Sequence, residues 1–180
     1  AHIRYRFKNP VFELDDGSCM AKLPKALTLD IANHLYRDAI VRVPIFSKCS
    51  APFIDALLTK LTPKQVGPKV VVFSAGEIAT TMFFILSGEM DLYDTQKRCF
   101  ATFFTGNFFG EGAMMEGEGF HRSYTAVAHT WCDLMCLSRQ AMEETSKEFP
   151  EDLQRVTTMT GKSWKVLREK MKQTALSPTP

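Results

Sequence analysis

The stretch Met82-Phe83-Phe84-Ile85-Leu86, followed by Ser87-Gly88 and then by Met90-Asp91-Leu92-Tyr93, decides the fold of this chain. Short apolar and aromatic runs separated by a break that contains glycine are typical of β-strands joined by turns. Four further runs of this kind follow or precede it: Val70–Phe73, Cys99–Phe104, Thr125–Ala128 and Cys132–Leu137. Six or more short strands at such spacing predict an antiparallel barrel or jelly roll.

Helices are predicted on both sides of these strands. Upstream, one amphipathic helix begins at Pro24 and another begins at Ser50 or Pro52. Downstream, Ser138 is placed to cap a helix, and a long amphipathic helix is predicted from Glu151 to about Lys172. The predicted fold class is therefore α+β, with an antiparallel β-barrel of the jelly-roll (double-stranded β-helix) type flanked by N-terminal and C-terminal helices.

Composition excludes several classes of function. The 180 residues are 45% hydrophobic, enough for one proper core, and the formal net charge of +2 gives no field that would attract nucleic acid or an anionic membrane. Five scattered cysteines without a CxxC pair favour reduced cytosolic thiols over a disulfide framework. The four histidines have no metal-ligand spacing, which argues against a cupin-type enzyme and predicts no metal site.

Other enzymatic and regulatory classes lack their motifs as well. No GxSxG sequence occurs, and no helix-turn-helix follows the last predicted helix as it would in a bacterial catabolite-activator-like regulator. No run of 18 apolar residues occurs, and the start at Ala1 has neither a signal-peptide pattern nor an initiator Met. We therefore expect a non-enzymatic fragment of a longer protein.

A candidate anion site lies between Gly106 and Ser123. Gly110 and Gly112 leave backbone N–H groups exposed beside a predicted short helix, and Arg122-Ser123 adds a guanidinium and a hydroxyl. Together these groups form a phosphate cradle. Glu111 would repel a highly charged phosphate but suits a singly charged one with a sugar hydroxyl nearby. On spacing alone, a loop with an exposed Arg and a solvated Glu is an equally good interpretation.

This pattern (Gly106-x-x-Phe109-Gly110-Glu111, Ala113, then Arg122-Ser123) resembles the phosphate-binding cassette of cyclic nucleotide-binding domains, and the resemblance covers about residues 45–172. It implies that Arg122 pairs with the cyclic phosphate, that the Ser123 hydroxyl supports it, and that Glu111 accepts the ribose 2′-hydroxyl. Backbone groups at Gly110 and Ala113 are implied as further donors.

The sequence departs from the family pattern at two positions of this cassette. Gly112 stands where Ile or Leu is usual, which is expected to loosen the short helix. Tyr124 replaces a small residue, and its ring has to find room.

The same resemblance implies a binding surface for the base. Tyr93, Ala101 and Phe103 would line the barrel side, and Ser163, Val166 and Leu167 of the last helix would cover the base. Ordinary packing of that helix on the barrel is the alternative explanation for its residues. Since Ser123 suits cAMP but can also bond a guanine amino group, the expected ligand is cAMP or cGMP, with no cofactor.

The N-terminal region resembles the end of the C-linker of cyclic-nucleotide-gated, hyperpolarisation-activated and ether-à-go-go type channels, on the residues Leu23–Arg37 and Val43–Phe46. We expect a C-linker-like segment at 1–44, the nucleotide-binding domain at 45–172 and a tail at 173–180. The resemblance implies a cytoplasmic gating domain of a homotetrameric cation channel, attached to the plasma membrane only through missing upstream segments and without a nucleic-acid partner. A homology domain that binds no nucleotide, or a regulatory domain of a cAMP-dependent kinase or exchange factor, stays open.

Overall fold

The structure, a computed structural model, describes residues 36–115 and 119–176. The predicted helix that begins at Pro24 and most of the predicted linker segment lie outside these residues. The described part opens with helical residues 36–41, and a 3₁₀ turn follows at Pro44–Phe46. No helix in the described ranges combines the length and the apolar character that a membrane crossing requires.

Two four-stranded antiparallel sheets, in the orders β1-β8-β3-β6 and β2-β7-β4-β5, form the centre of the described structure. Their strands are β1 (Thr62–Val66), β2 (Val71–Phe73), β3 (Thr81–Ser87), β4 (Glu89–Tyr93), β5 (Cys99–Phe104), β6 (Phe108–Phe109), β7 (Thr125–Ala128) and β8 (Cys132–Ser138). Neighbours distant in sequence, such as β1 with β8, are the signature of a jelly roll. The predicted fold class is confirmed.

The helices that follow residues 36–41 in the described part of the chain are α1 (Ala51–Leu58), α2 (Gly112–Met115), α3 (Arg139–Ser146) and α4 (Pro150–Leu176). The side chains of Ser50 and Ser138 accept hydrogen bonds from backbone N–H groups in the first turns of α1 and α3, as expected of N-cap residues. Helix α4 continues to Leu176, four residues beyond the predicted end near Lys172.

Two strands were not predicted from the sequence. Strand β1 contains Pro63, which was interpreted as the stop of the preceding helix, and it lies at the edge of its sheet. An edge position tolerates proline because one side of the strand needs no N–H donor. Strand β6 has only two residues, Phe108 and Phe109, and is held by pairing with Phe84 and Phe83 of β3. So short a strand has no periodicity to detect.

Helix α4 contributes to two separate cores. Its Val156 packs in a cluster with the N-terminal helices, where the rings of Phe46 and Phe84 lie 5.2 Å apart. Its Trp164 and Leu167 pack in the second cluster, which fills the space between the sheets. One face of the C-terminal part of α4 is therefore held against the open side of the barrel, beside the cassette residues.

The first turn of α4 is clamped to the start of α1. The Asp152 carboxylate accepts hydrogen bonds from the Ser50 backbone N–H at 2.9 Å and from the Ser50 hydroxyl at 2.6 Å. Arg155 adds an ion pair to Asp152 at 2.9 Å. These bonds lower the pKa of Asp152, although burial of the carboxyl acts in the opposite direction as the largest single influence. The clamp joins the C-terminal helix to the segment that precedes the barrel.

Candidate functional site

Arg122 stands at the centre of the cassette. Its backbone N–H donates to the Glu77 carbonyl at 2.7 Å, and its carbonyl accepts from the Gly76 N–H at 2.8 Å, which fixes the chain just before β7. Its guanidinium donates from Nη1 to the Gly110 carbonyl at 3.0 Å and from Nη2 to the Thr81 carbonyl. The guanidinium carbon lies 4.1 Å from the centre of the Phe73 ring, within cation–π range. Arg122 is only 7% exposed, so the interpretation as a solvated surface Arg is wrong.

Glu111 is completely buried between the cassette and α4. The Ser163 hydroxyl of α4 donates to Glu111 Oε1 at 3.2 Å, and Oε2 has no hydrogen-bond partner in the described part of the chain. Burial raises the pKa of the Glu111 carboxyl to about 7, even though hydrogen bonds and the Arg122 charge oppose the shift. Desolvation outweighs them because a carboxylate in a low-dielectric site loses most of its hydration.

The pKa of Glu111 makes the stability of the fold depend on pH. Because the folded-state pKa lies above the ordinary 4.5, the folded protein holds this proton more tightly than the unfolded chain does. The stabilisation is complete below pH 4.5 and is lost as the pH rises through about 7. A Glu111→Gln variant has no carboxyl at this position and therefore lacks this pH-dependent stabilisation. Relative to wild type, we expect its free energy of unfolding to rise by about 3 kcal/mol between pH 4.5 and pH 8.

Urea unfolding at pH 4.5, 6, 7 and 8 measures this difference. The matched control is Glu148→Gln, which makes the same substitution at an exposed position. Parallel pH curves for wild type and Glu111→Gln would show that Glu111 does not titrate abnormally.

Tyr124 fills the interior of the cassette. Its side chain is 2% exposed, and its hydroxyl accepts a hydrogen bond from the Gly110 N–H at 2.8 Å. Its ring packs 5.3 Å from Phe73, 5.8 Å from Phe100 and 6.4 Å from Trp164, measured between ring centres. The Tyr124 ring is thus accommodated in the aromatic core of the barrel.

The backbone donors predicted for phosphate already have partners within the chain. The Gly110 N–H is bonded to Tyr124, and the Ala113 N–H donates to the Gly110 carbonyl at 3.0 Å. Ser123 lies half-buried between Arg122 and Tyr124. Gly110 is the point where the predicted cassette residues meet, since its carbonyl accepts from both Arg122 and Ala113.

Phe120 explains the unusual Gly112. A Cβ atom added to Gly112 would lie 2.5 Å from Cε1 of Phe120, so the glycine allows that ring to lie directly on α2. The Phe120 ring also meets Trp164 edge-on, at 6.0 Å between centres and 84° between planes. From the sequence, Gly112 is expected to loosen the cassette helix, and Phe120 has no predicted role. The structure packs an aromatic ring there instead.

Four of the residues predicted to surround the base line one cavity of about 370 Å³ between β5 and α4: Phe103, Ser163, Val166 and Leu167. Lys162 and Lys170 of α4 also line it. Tyr93 and Ala101 are half-buried on β4 and β5 and are not among the residues that line this cavity. The volume lies within the range of about 300–1,000 Å³ that is typical of small-molecule sites.

Trp164 belongs to the same region and was not singled out from the sequence as a site residue. Its indole N–H is buried and has no hydrogen-bond partner in the described structure. The same is true of Arg122 Nε and of Glu111 Oε2. Buried polar groups are normally paired, so each of these three atoms needs an explanation. No group of three or more His, Cys, Asp or Glu that could hold a metal ion occurs within residues 36–115 and 119–176.

Comparison with known proteins identifies the domain. Residues 63–149 match the family described as the cyclic nucleotide-binding domain. The matched residues make up just under half of the chain. They contain the whole cassette, and α4 follows them.

Several proteins similar to this chain are channels. The chain is 28% identical over 154 residues to a cyclic nucleotide-gated cation channel of Ictalurus punctatus, covering 83% of this chain and 22% of the relative. It is 27% identical over 143 residues to the potassium channel AKT2 of Oryza sativa subsp. japonica and to cyclic nucleotide-gated channel alpha-3 of Homo sapiens, covering 77% of this chain in both cases and 16% and 21% of the relatives. The chain thus spans about a fifth of the length of these relatives.

A solved structure confirms the fold. The C-linker/CNBHD of zELK channels, crystallised in the presence of cAMP, superposes with a TM-score of 0.64 at 22% sequence identity. The superposition covers 79% of this chain and 72% of the other.

Proposed function

We propose that this chain binds cAMP or cGMP in the cassette and that binding regulates a homotetrameric cation channel of which the chain is a cytoplasmic part. The observation that carries the binding proposal is that three buried polar atoms of the cassette and of α4 have no hydrogen-bond partner among the described residues: Glu111 Oε2, Arg122 Nε and Trp164 Nε1. One is an acceptor and two are donors. A cyclic phosphate with a free ribose hydroxyl supplies the complementary groups.

Different side chains would bind the phosphate, the ribose and the base of the ligand. Arg122 and Ser123 hold the singly charged phosphate, and a charge-assisted bond to Arg contributes about 1.5–3 kcal/mol. Glu111 Oε2 accepts the 2′-hydroxyl, while Ser163 stays on Oε1. With a pKa of about 7, Glu111 is partly protonated at neutral pH, which reduces its repulsion of the phosphate. The base would lie towards the 370 Å³ cavity, which Ser163 also lines.

Regulation requires that the ligand bind one arrangement of α4 better than another, since equal affinity shifts no equilibrium. Ser163, Trp164 and Leu167 are among the residues of α4 that meet the cassette and barrel. Asp152 connects the start of α4 to Ser50. Tightening of α4 over the ligand would therefore act on the segment before the barrel, and through residues 1–46 on a pore in the longer protein.

Isothermal titration calorimetry with cAMP and cGMP tests the binding proposal. We expect saturable binding of one or both nucleotides, and about tenfold weaker binding of the 2′-deoxy ligand, because the Glu111 hydrogen bond is lost. In a Glu111→Gln variant, the 2′-deoxy ligand should lose little further. Equal additional losses in both proteins would remove Glu111 from the ribose site.

A second function has an observation in its favour. The Gly110 N–H and both terminal nitrogens of Arg122 are already bonded inside the chain, as would suit a channel homology domain that carries no nucleotide. No heat and no rise in melting temperature at millimolar cAMP or cGMP would favour it. Sequence upstream of Ala1 tests the channel assignment: six hydrophobic spans support it, whereas a kinase-type or exchange-factor region overturns it.

A further inference from the structure

The Tyr124 hydroxyl accepts a hydrogen bond from the Gly110 N–H, the backbone donor that the family resemblance assigns to a bound cyclic phosphate. The Gly110 N–H points to the Tyr124 hydroxyl at 2.8 Å, and both groups are buried. The hydroxyl is held there from several sides, since the ring packs against Phe73 of β2, Phe100 of β5 and Trp164 of α4. A phosphate oxygen cannot share the single hydrogen of this N–H without weakening the bond to the tyrosine.

The hydroxyl and the phosphate differ in charge. Burial raises the pKa of Tyr124 well above 10, so the hydroxyl is a neutral acceptor at physiological pH. A cyclic phosphate is an anion and forms hydrogen bonds about twice as strong as those of a neutral acceptor. The phosphate therefore replaces the Tyr124 hydroxyl as the acceptor of the Gly110 N–H. The displaced hydroxyl then remains in a buried aromatic site without this hydrogen bond. That cost reduces the net gain from binding.

We propose that Tyr124 is an internal competitor for the phosphate position, and that its hydroxyl sets the affinity of the cassette for cyclic nucleotide. This inference rests on the proposed nucleotide-binding function. In the chain without ligand, the neutral Tyr124 hydroxyl occupies the phosphate position, and the ligand must displace it. The domain should consequently bind more weakly than the geometry of Arg122, Ser123 and Glu111 alone would allow.

The test is Tyr124→Phe, which keeps the ring and removes only the oxygen. We expect the Kd for cAMP or cGMP to fall about tenfold, because the free Gly110 N–H no longer loses a partner when the ligand binds. The control is Tyr36→Phe, which removes the hydroxyl of another buried tyrosine, on the helical residues 36–41. Its Kd should equal that of wild type.

A measurement without ligand tests the same contact. Hydrogen exchange of the Gly110 amide, followed by NMR, should be much faster in Tyr124→Phe than in wild type and unchanged in Tyr36→Phe. Urea unfolding verifies that both variants fold. Unchanged exchange at Gly110 would overturn the competitor role whatever the affinities are.

The binding outcomes separate this inference from the proposed function. Tighter binding by Tyr124→Phe supports the competitor, also if wild type binds too weakly to detect. Unchanged affinity overturns it, and weaker binding overturns it too, because the hydroxyl would then contact the ligand directly. If neither protein binds either nucleotide, the proposed function itself fails, and the competitor with it.

Discussion

Replacing Arg122 by Ala should cost the protein both stability and ligand. The guanidinium is buried over Phe73 and donates to the carbonyls of Gly110 and Thr81. Its removal takes one donor from each carbonyl, and the Gly110 carbonyl keeps only the Ala113 N–H. We expect the free energy of unfolding to fall by about 2–4 kcal/mol. Loss of the charge-assisted bond to phosphate should weaken nucleotide binding about 100-fold. Urea unfolding and calorimetry measure the two effects.

Two further variants separate these effects of Arg122. Arg42→Ala removes an exposed arginine and should leave stability and affinity at the wild-type values. Arg122→Lys keeps the positive charge but loses the planar fork that reaches two carbonyls. It should recover part of the binding and little of the stability. If Arg122→Ala binds nucleotide as wild type does, Arg122 has no place in the site.

Replacing Gly88, which lies between β3 and β4, by Ala should cause a large loss of stability. Gly88 has φ +97°, and a Cβ there would lie 2.3 Å from the Trp131 carbonyl oxygen and 2.9 Å from Cys132 Cα. Backbone atoms cannot swing aside as the end of a side chain can, so strands β3, β4 and β8 would have to shift. We expect a loss of about 3–5 kcal/mol in the free energy of unfolding, from backbone strain plus steric overlap.

Gly76→Ala is the matched control for this substitution. Gly76 has a similar φ of +88°, but no described atom would lie within 4 Å of an added Cβ. The free energy of unfolding of Gly76→Ala should fall only by the contribution of backbone strain, about 1–2 kcal/mol. The difference between the two variants in urea unfolding measures the steric overlap at Gly88. Equal losses of stability in the two variants would mean that the added methyl group at Gly88 is accommodated without an energetic cost from steric overlap.

The strands could be predicted from local sequence to the extent that each carries its own signal. Runs such as Met82–Leu86 and Cys132–Leu137 are long and apolar enough to stand out. Strand β1 could not be found because Pro63 is a breaker in local terms, and only its place at the sheet edge makes it acceptable. Strand β6 exists through its pairing with β3 and has no signal of its own.

The candidate site divides in the same way. Arg122 and Glu111 could be selected from the sequence because charged residues beside glycines are unusual and match a known cassette. The place of the Tyr124 ring depends on Phe73 and Trp164, which lie 51 and 40 positions away in the chain. The complementary pair Gly112 and Phe120 is likewise visible only once the chain has folded. Such contacts follow from tertiary packing and have no local sequence pattern.

The clamp between Asp152 and Ser50 gives α4 the geometry of a lever with its pivot at one end. With 27 residues, the helix is about 40 Å long. A tilt of about 10° around the clamp would displace the far end by about 7 Å, but a residue one turn from the clamp by only about 1 Å. Ser163 and Trp164 lie near the middle of this lever. If α4 tilted about this contact, a displacement beside Glu111 would be about twofold larger at the far end of the helix, and the Ser50–Asp152 hydrogen bonds would pull on the start of α1.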